Sequence, residues 1–124
     1  MDLSTGQAIL RNLIGVPERQ EDIPWTPFQE GVERHWLYQD GEFGPAAALL
    51  RFQPGARVPE HLHMGFEHIL VLAGSQSDDH GTIAAGDFMV NAPGTRHRVA
   101  SAEGCLVLAI YEKRVSFSPA ALGS

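Results

Sequence analysis

The chain is short of lysine, cysteine and long apolar runs. Of its nine basic residues eight are arginine and Lys113 is the single lysine, against 15 acidic residues and a formal net charge of −6. No basic block offers a stripe that could track phosphates, so nucleic acid is not an expected partner. The one cysteine, Cys105, excludes an internal disulfide and a cysteine-built zinc site. It opens the apolar run 105–110 and reads as a small buried hydrophobe. No apolar run approaches the ~20 residues that cross a bilayer, so no membrane association is expected. The N-terminus lacks the basic-then-apolar order of a signal peptide. Together with the unpaired cysteine this predicts the cytoplasm.

What the chain has is an ordinary globular balance. Its 124 residues are 44% hydrophobic and 19% charged, which predicts one domain with a real core and no disulfide staple. Residues 1–21 read as an N-terminal arm, 22–112 as the body and 113–124 as a tail. In the arm, Ser4 and Gln7 have the spacing of a capping box. Leu10, Leu13 and Ile14 follow at helical spacing before Gly15 and Pro17, so a short helix over 5–14 is predicted, with an extended segment docked on the sheet as the alternative. Pro17, Pro24 and Pro27 forbid a helix over 17–31 and discourage a central strand there. Trp25 and Phe28 in that stretch read as packing anchors.

From Val32 the punctuation is regular. Apolar runs at 35–39, 46–52, 67–73, 82–85, 88–92, 98–100 and 106–112 alternate with Gly, Pro and Asp clusters. Many short strands with closely spaced turns mean an all-β sandwich or barrel.

The chemistry concentrates at His61, His63, Glu67 and His97. His61 and His63 are two apart, so on an extended strand both imidazoles project to one side, about 7 Å apart along the backbone. If Glu67 faces inward, Ile69, Val71 and Ala73 face inward with it. A carboxylate against such an apolar wall is costly unless a cation offsets it. His97 follows the turn Pro93-Gly94-Thr95. Three neutral imidazoles and a carboxylate suit one divalent transition metal: Fe(II) or Zn first, then Mn, Ni or Cu, rather than Mg or Ca. By strand alternation His68 turns outward, and His80 sits in an Asp-Asp-His-Gly turn. Arg57, Arg96 and Arg98 flank the histidines. They read as solvent-facing turn residues, with Arg96 the one placed to meet an anionic substrate. Phe66, Phe88 and Met89 are core candidates that could alternatively line a pocket.

The pattern Gly55, five residues, His61, one, His63, three, Glu67, six, Gly74 resembles the first cupin motif at every defined position. Gly86 and His97 are spaced as in the second, although Pro93 stands one place late and Ser101 replaces the asparagine common four residues after the histidine. The runs Phe66-Glu67-His68, Ser77-Asp-Asp-His-Gly81, Asn91-Ala-Pro-Gly-Thr-Arg-His97 and Glu103-Gly104-Cys105 are similar to the ChrR-type cupins, a branch that resembles the acetylacetone-cleaving dioxygenases. The lead-in from Trp25 to Val32 is similar too.

The resemblance implies an RmlC-like double-stranded β-helix, a small jelly-roll-like barrel, with His61, His63, Glu67 and His97 as metal ligands. It implies either an Fe(II)-type oxygenase acting on a small carbonyl compound or a zinc- or iron-dependent sensor that binds a small molecule; a structural metal is the third reading. The sequence names no general base, because Glu67 is the only acid in the constellation. The sigma-binding function of ChrR itself is not implied, since that rests on an N-terminal domain this chain lacks. A homodimer is expected, with the apolar arm covering sheet edges.

Overall fold

The structure is a computed structural model that describes residues 3–118. Among these residues nine strands form: β1 (Thr26–Gln29), β2 (Val32–Gln39), β3 (Ala46–Phe52), β4 (Arg57–Leu62), β5 (Glu67–Asp78), β6 (Gly81–Ala84), β7 (Phe88–Asn91), β8 (Arg96–Ala100) and β9 (Cys105–Tyr111). Every pairing between them is antiparallel. The order is β1-β2-β3-β9-β5-β8-β4, with β6 and β7 both pairing to β5. The all-β class is as the sequence predicts.

Strand β5 joins the two halves of this curled sheet. Its first residues pair with β7 and β9, and its last pair with β6 and β8. A bulge between Val71 and Ala73 lets it bend. The bulge corrects the simple alternation: Ile69 and Val71 face the interior with Glu67, but Ala73 joins the cluster on the opposite face. Gly74 follows at φ 75°, and a Cβ there would collide with the Gly104 carbonyl, so only glycine fits this pivot.

Strand β3 is buried on both faces apart from half-buried Arg51, which explains its unbroken apolar sequence. Ala46, Ala48, Leu50 and Phe52 face the interior with Val58, Val99 and Val107. Ala47 and Leu49 face the other way, against Val16, Leu37 and Leu106, with Leu13, Ile23 and Trp25 packed over them. That second cluster is roofed by the arm.

The arm is not the predicted α-helix over 5–14. Thr5 and Gly6 lie in a turn, with Gly6 N–H donating to the Leu3 carbonyl at 2.8 Å. Asn12 has φ 52°, outside helical geometry. The Arg19 guanidinium donates to the Arg11 and Asn12 carbonyls, drawing off acceptors a helix would use. The segment is instead irregular and mostly exposed over residues 3–12, and Leu3, Ala8, Leu10 and Leu13 border an open groove with Leu37 and Ile110. A 3-10 helix does run over Leu13–Glu18 with Pro17 inside it, and a second covers Gln20–Asp22. The prolines therefore exclude an α-helix but not these tighter turns, in which few amides must donate. Pro27 lies in β1, which is an edge strand, as a missing ladder donor requires. Met1, Asp2 and the tail from 119 onward lie outside the described residues.

Candidate metal centre

Two strand ends and a turn bring the four predicted residues together. His61 lies near the end of β4 and pairs across to His97 on β8. His63 comes just after β4, and Glu67 opens β5. All four are at least 96% buried, and their candidate ligand atoms lie within 4.8 Å of one another. The imidazole centroids are 5.2 Å apart for His61 and His63, and 4.7 Å for each of these with His97.

Each histidine is clasped from behind through Nδ1. His61 Nδ1 lies 2.9 Å from the Pro59 carbonyl oxygen, which can only accept, so Nδ1 carries the proton. His97 Nδ1 lies 2.9 Å from Asp78 Oδ2, with the same consequence. His63 Nδ1 lies 3.0 Å from Thr95 Oγ1, whose own hydrogen goes to the Ala92 carbonyl at 2.6 Å, so His63 is again the donor. In the neutral form of each ring, Nε2 is thereby the acceptor nitrogen. Nε2 of His63 and of His97 are buried without a hydrogen-bond partner. His63 Nε2 does approach Glu67 Oε1 at 3.3 Å, close enough for an ion pair but not aligned as a hydrogen bond.

The carboxylate is held as well. Asn91 Nδ2 donates to Glu67 Oε1 at 3.0 Å. Burial pushes Glu67 upward, but the contacts with His63 and then the fields of His61 and His97, when these rings are protonated, outweigh it and leave the carboxyl below its usual range. Burial pulls the His61 imidazole down, against the opposing pull of the Pro59 carbonyl and Glu67. The result is an interior where one ionised carboxylate and three imidazole lone pairs converge and no donor faces the two orphaned nitrogens. Such a set calls for a cation. Three nitrogens and one oxygen fit a divalent transition metal, with each imidazole tautomer already fixed for ligation. The buried cluster can therefore bind a metal; which metal is not set by these donors.

Four supports of this site were not singled out from the sequence, although three of them lie in the runs that carry the family resemblance. Asp78 closes the far end of β5, eleven residues from Glu67, and is itself fixed by the His80 amide at 2.8 Å. Thr95 and Asn91 belong to the segment leading into His97, and His63 is pinned there through its backbone as well. The fourth is Phe117, whose ring centroid lies 5.4 Å from that of His61.

The interior cavity beside the histidines has a volume of about 30 Å³ and is lined by Phe28, Tyr111, Val115 and Phe117 among others. That is room for a water or two. None of Arg57, Arg96 and Arg98 lines it. Arg57 and Arg98 instead border an open cleft of about 570 Å³ behind Asp78. Phe66 and Phe88 are exposed and stack on either side of His68, at 6.4 and 5.7 Å, while Met89 packs against the core. Phe28 is the packing anchor expected, and it lines the cavity too. Cys105 is buried, and burial pushes its thiol up to about 11.

The curled antiparallel sheet and its buried set of three histidines and one glutamate are those of an RmlC-like cupin. Residues 17–114 match the family model of the ChrR cupin-like domain, and the chain belongs to that family. It is 32% identical over 105 residues to the anti-sigma-E factor ChrR of Cereibacter sphaeroides, covering 83% of this chain and 48% of that protein. The chain thus spans about half the length of this curated relative. The crystal structure of Rhodobacter sphaeroides SigE in complex with the anti-sigma ChrR superposes with a TM-score of 0.65 at 32% identity, over 73% of this chain and 49% of that one. A putative acetylacetone dioxygenase from Methylibium petroleiphilum PM1 superposes with a TM-score of 0.75 over 90% of this chain and 81% of that one. At 15% identity that likeness speaks for the fold alone. No helix among the described residues is long and apolar enough to cross a membrane.

Proposed function

We propose that this chain is a metal-binding cupin that holds one divalent transition metal, iron or zinc first, on His61, His63, Glu67 and His97, and presents it to a small ligand. The observation that carries this reading is the set of imidazoles, each fixed through Nδ1 so that Nε2 faces the others, two of them buried without a partner. In an octahedral metal four protein donors leave two positions for water or ligand. When bound, the metal supplies a Lewis acid in a water-poor cavity. The chain's own contribution is to fix the ligand geometry and exclude bulk water.

A sensor or ligand-binding role ranks above catalysis. The cavity of about 30 Å³, far below the roughly 300–1,000 Å³ usual for small-molecule pockets, limits either role to a ligand of very few atoms while the barrel keeps this shape, so the ranking rests on the lack of a proton-moving group. No acid or base besides the proposed ligands and Tyr111 lines it to move a substrate proton, and burial and Glu67 hold the Tyr111 hydroxyl well above its usual range. The second reading is an Fe(II) dioxygenase acting on a small carbonyl compound, supported by the open coordination positions and the fold shared with the dioxygenase. The buried, unpaired Cys105 supports a place in the cytoplasm. A homodimer is supported by exposed apolar side chains on the arm and outer sheet face, including Ile9, Leu10, Phe88 and Val90.

Oxygen uptake separates the two roles. The iron-loaded protein, given acetylacetone or another β-dicarbonyl, should consume no oxygen above the metal-free control. Stoichiometric uptake abolished by His97→Ala would install the dioxygenase reading instead.

A further inference from the structure

The segment after β9 closes the mouth of the barrel. Val115 and Phe117 alternate inward and line the small cavity, while Ser116 between them forms a single bridge to Leu62. That bridge is two hydrogen bonds: the Leu62 amide donates to the Ser116 carbonyl at 2.8 Å, and the Ser116 amide to the Leu62 carbonyl at 2.9 Å. The segment grips the opposite rim through a stack of rings and guanidiniums. Phe117 packs edge-on against Phe28 at 6.2 Å, Arg34 lies 4.4 Å from the ring centres of both Phe28 and Trp36, and Arg114 lies 4.8 Å from Trp36. Arg114 also donates to the Gly41 and Glu42 carbonyls, in the exposed turn between β2 and β3.

We propose that residues 112–118 are a lid over the metal centre, and that Phe117 sets which ligands reach it. With the lid seated, nothing larger than a water or a diatomic molecule fits beside His61. With it lifted, the inner wall formed by Val115 and Phe117 is gone and a small carbonyl compound can approach. The segment is built to lift. It belongs to no strand, its backbone is tied by one bridge and two further bonds, from the Glu112 amide to the Phe66 carbonyl and from the Arg114 amide to the Phe43 carbonyl, and the Arg114 guanidinium is anchored on an exposed turn. Few buried contacts and exposed hydrogen bonds are the marks of a locally opening unit. The ligand in this proposal rests on the metal reading above; the opening of the lid does not.

Two measurements test it. The first needs no metal: amide hydrogen exchange of the metal-free chain and of Phe117→Ala. The variant should speed exchange at Ser116 and Leu62 by about tenfold, as expected for losing a half-buried ring, and leave Val107 in β9 unchanged. No change at Ser116, or an equal change at Val107, overturns the lid.

The second is release of bound cobalt(II) or zinc to excess chelator. Both proteins should hold one equivalent, and Phe117→Ala should release it about tenfold faster, with Phe117→Leu near the wild-type rate. Equal rates from wild type and Phe117→Ala overturn Phe117 as the gate while leaving the metal reading intact. If neither protein takes up metal, the metal reading fails, and the exchange result alone decides whether the lid exists.

Discussion

The two faces of the central strands make different things from alternating residues of one sequence. On the inner face of β3, β9 and β5, the apolar residues stop at a group of buried polar side chains, and each candidate ligand there is held by a partner: Pro59, Thr95, Asp78 and Asn91. On the outer face Leu49, Leu106, Val16 and Leu37 pack into an apolar cluster beneath the arm. One face fixes directions and the other supplies burial. Stability and metal affinity should therefore respond to different substitutions.

The largest effect should come from the outer face. Leu49 is 1% exposed, and Leu49→Ala should cost about 2–5 kcal/mol in urea unfolding, while the folded variant still takes up one equivalent of metal. A folded Leu49→Ala protein that bound no metal would show that the two faces are not separable.

A smaller effect of the opposite kind is expected at Asp78. Asp78→Ala removes the acceptor behind His97 and should weaken metal binding about 10–100-fold, read by competition with a chelator, while metal-free stability falls only by the ~1–3 kcal/mol of one unsatisfied buried donor. Unchanged affinity would mean that the His97 clasp does not serve ligation.

The pH response sharpens the comparison further. His61 sits below its usual 6.5 in the folded chain, so below pH 6.5 the unfolded chain binds the proton more readily. Metal-free stability is then fully present above 6.5 and falls as pH drops toward the lowered folded value. Glu67 is lowered from 4.5, and its share of stability is lost in turn as pH falls below 4.5 through its own lowered value. The urea midpoint of the metal-free chain should hold steady from pH 8 to 7 and decline below 6.5. A midpoint that rises on acidification contradicts this assignment.

The sequence made β3 legible to the residue, because burial on both faces writes a continuous apolar run. It made the four ligand candidates legible because their spacing matches strand alternation and a turn. Strands β1 and β4 were harder to see: each carries a proline, Pro27 and Pro59, and each lies at an end of the strand order where a proline is tolerated. The arm misled because Leu10, Leu13 and Ile14 have helical spacing, yet Leu10 and Ile14 stay exposed and Arg19 takes the Arg11 and Asn12 carbonyls that a helix would use. Asp78 and Phe117 were out of reach for another reason. Asp78 is 19 residues from His97, and Phe117 reaches His61 from the far end of the chain. Only the curl of β5 and the return of the chain after β9 bring them to the site.

The most direct test of the metal centre is elemental analysis of gently purified protein beside the His61→Ala, His97→Ala double variant. The wild type should carry close to one equivalent of iron or zinc and the folded double variant none. A wild type with no metal under any loading condition, or a double variant that keeps a full equivalent, would contradict the assignment of His61, His63, Glu67 and His97 as its ligands.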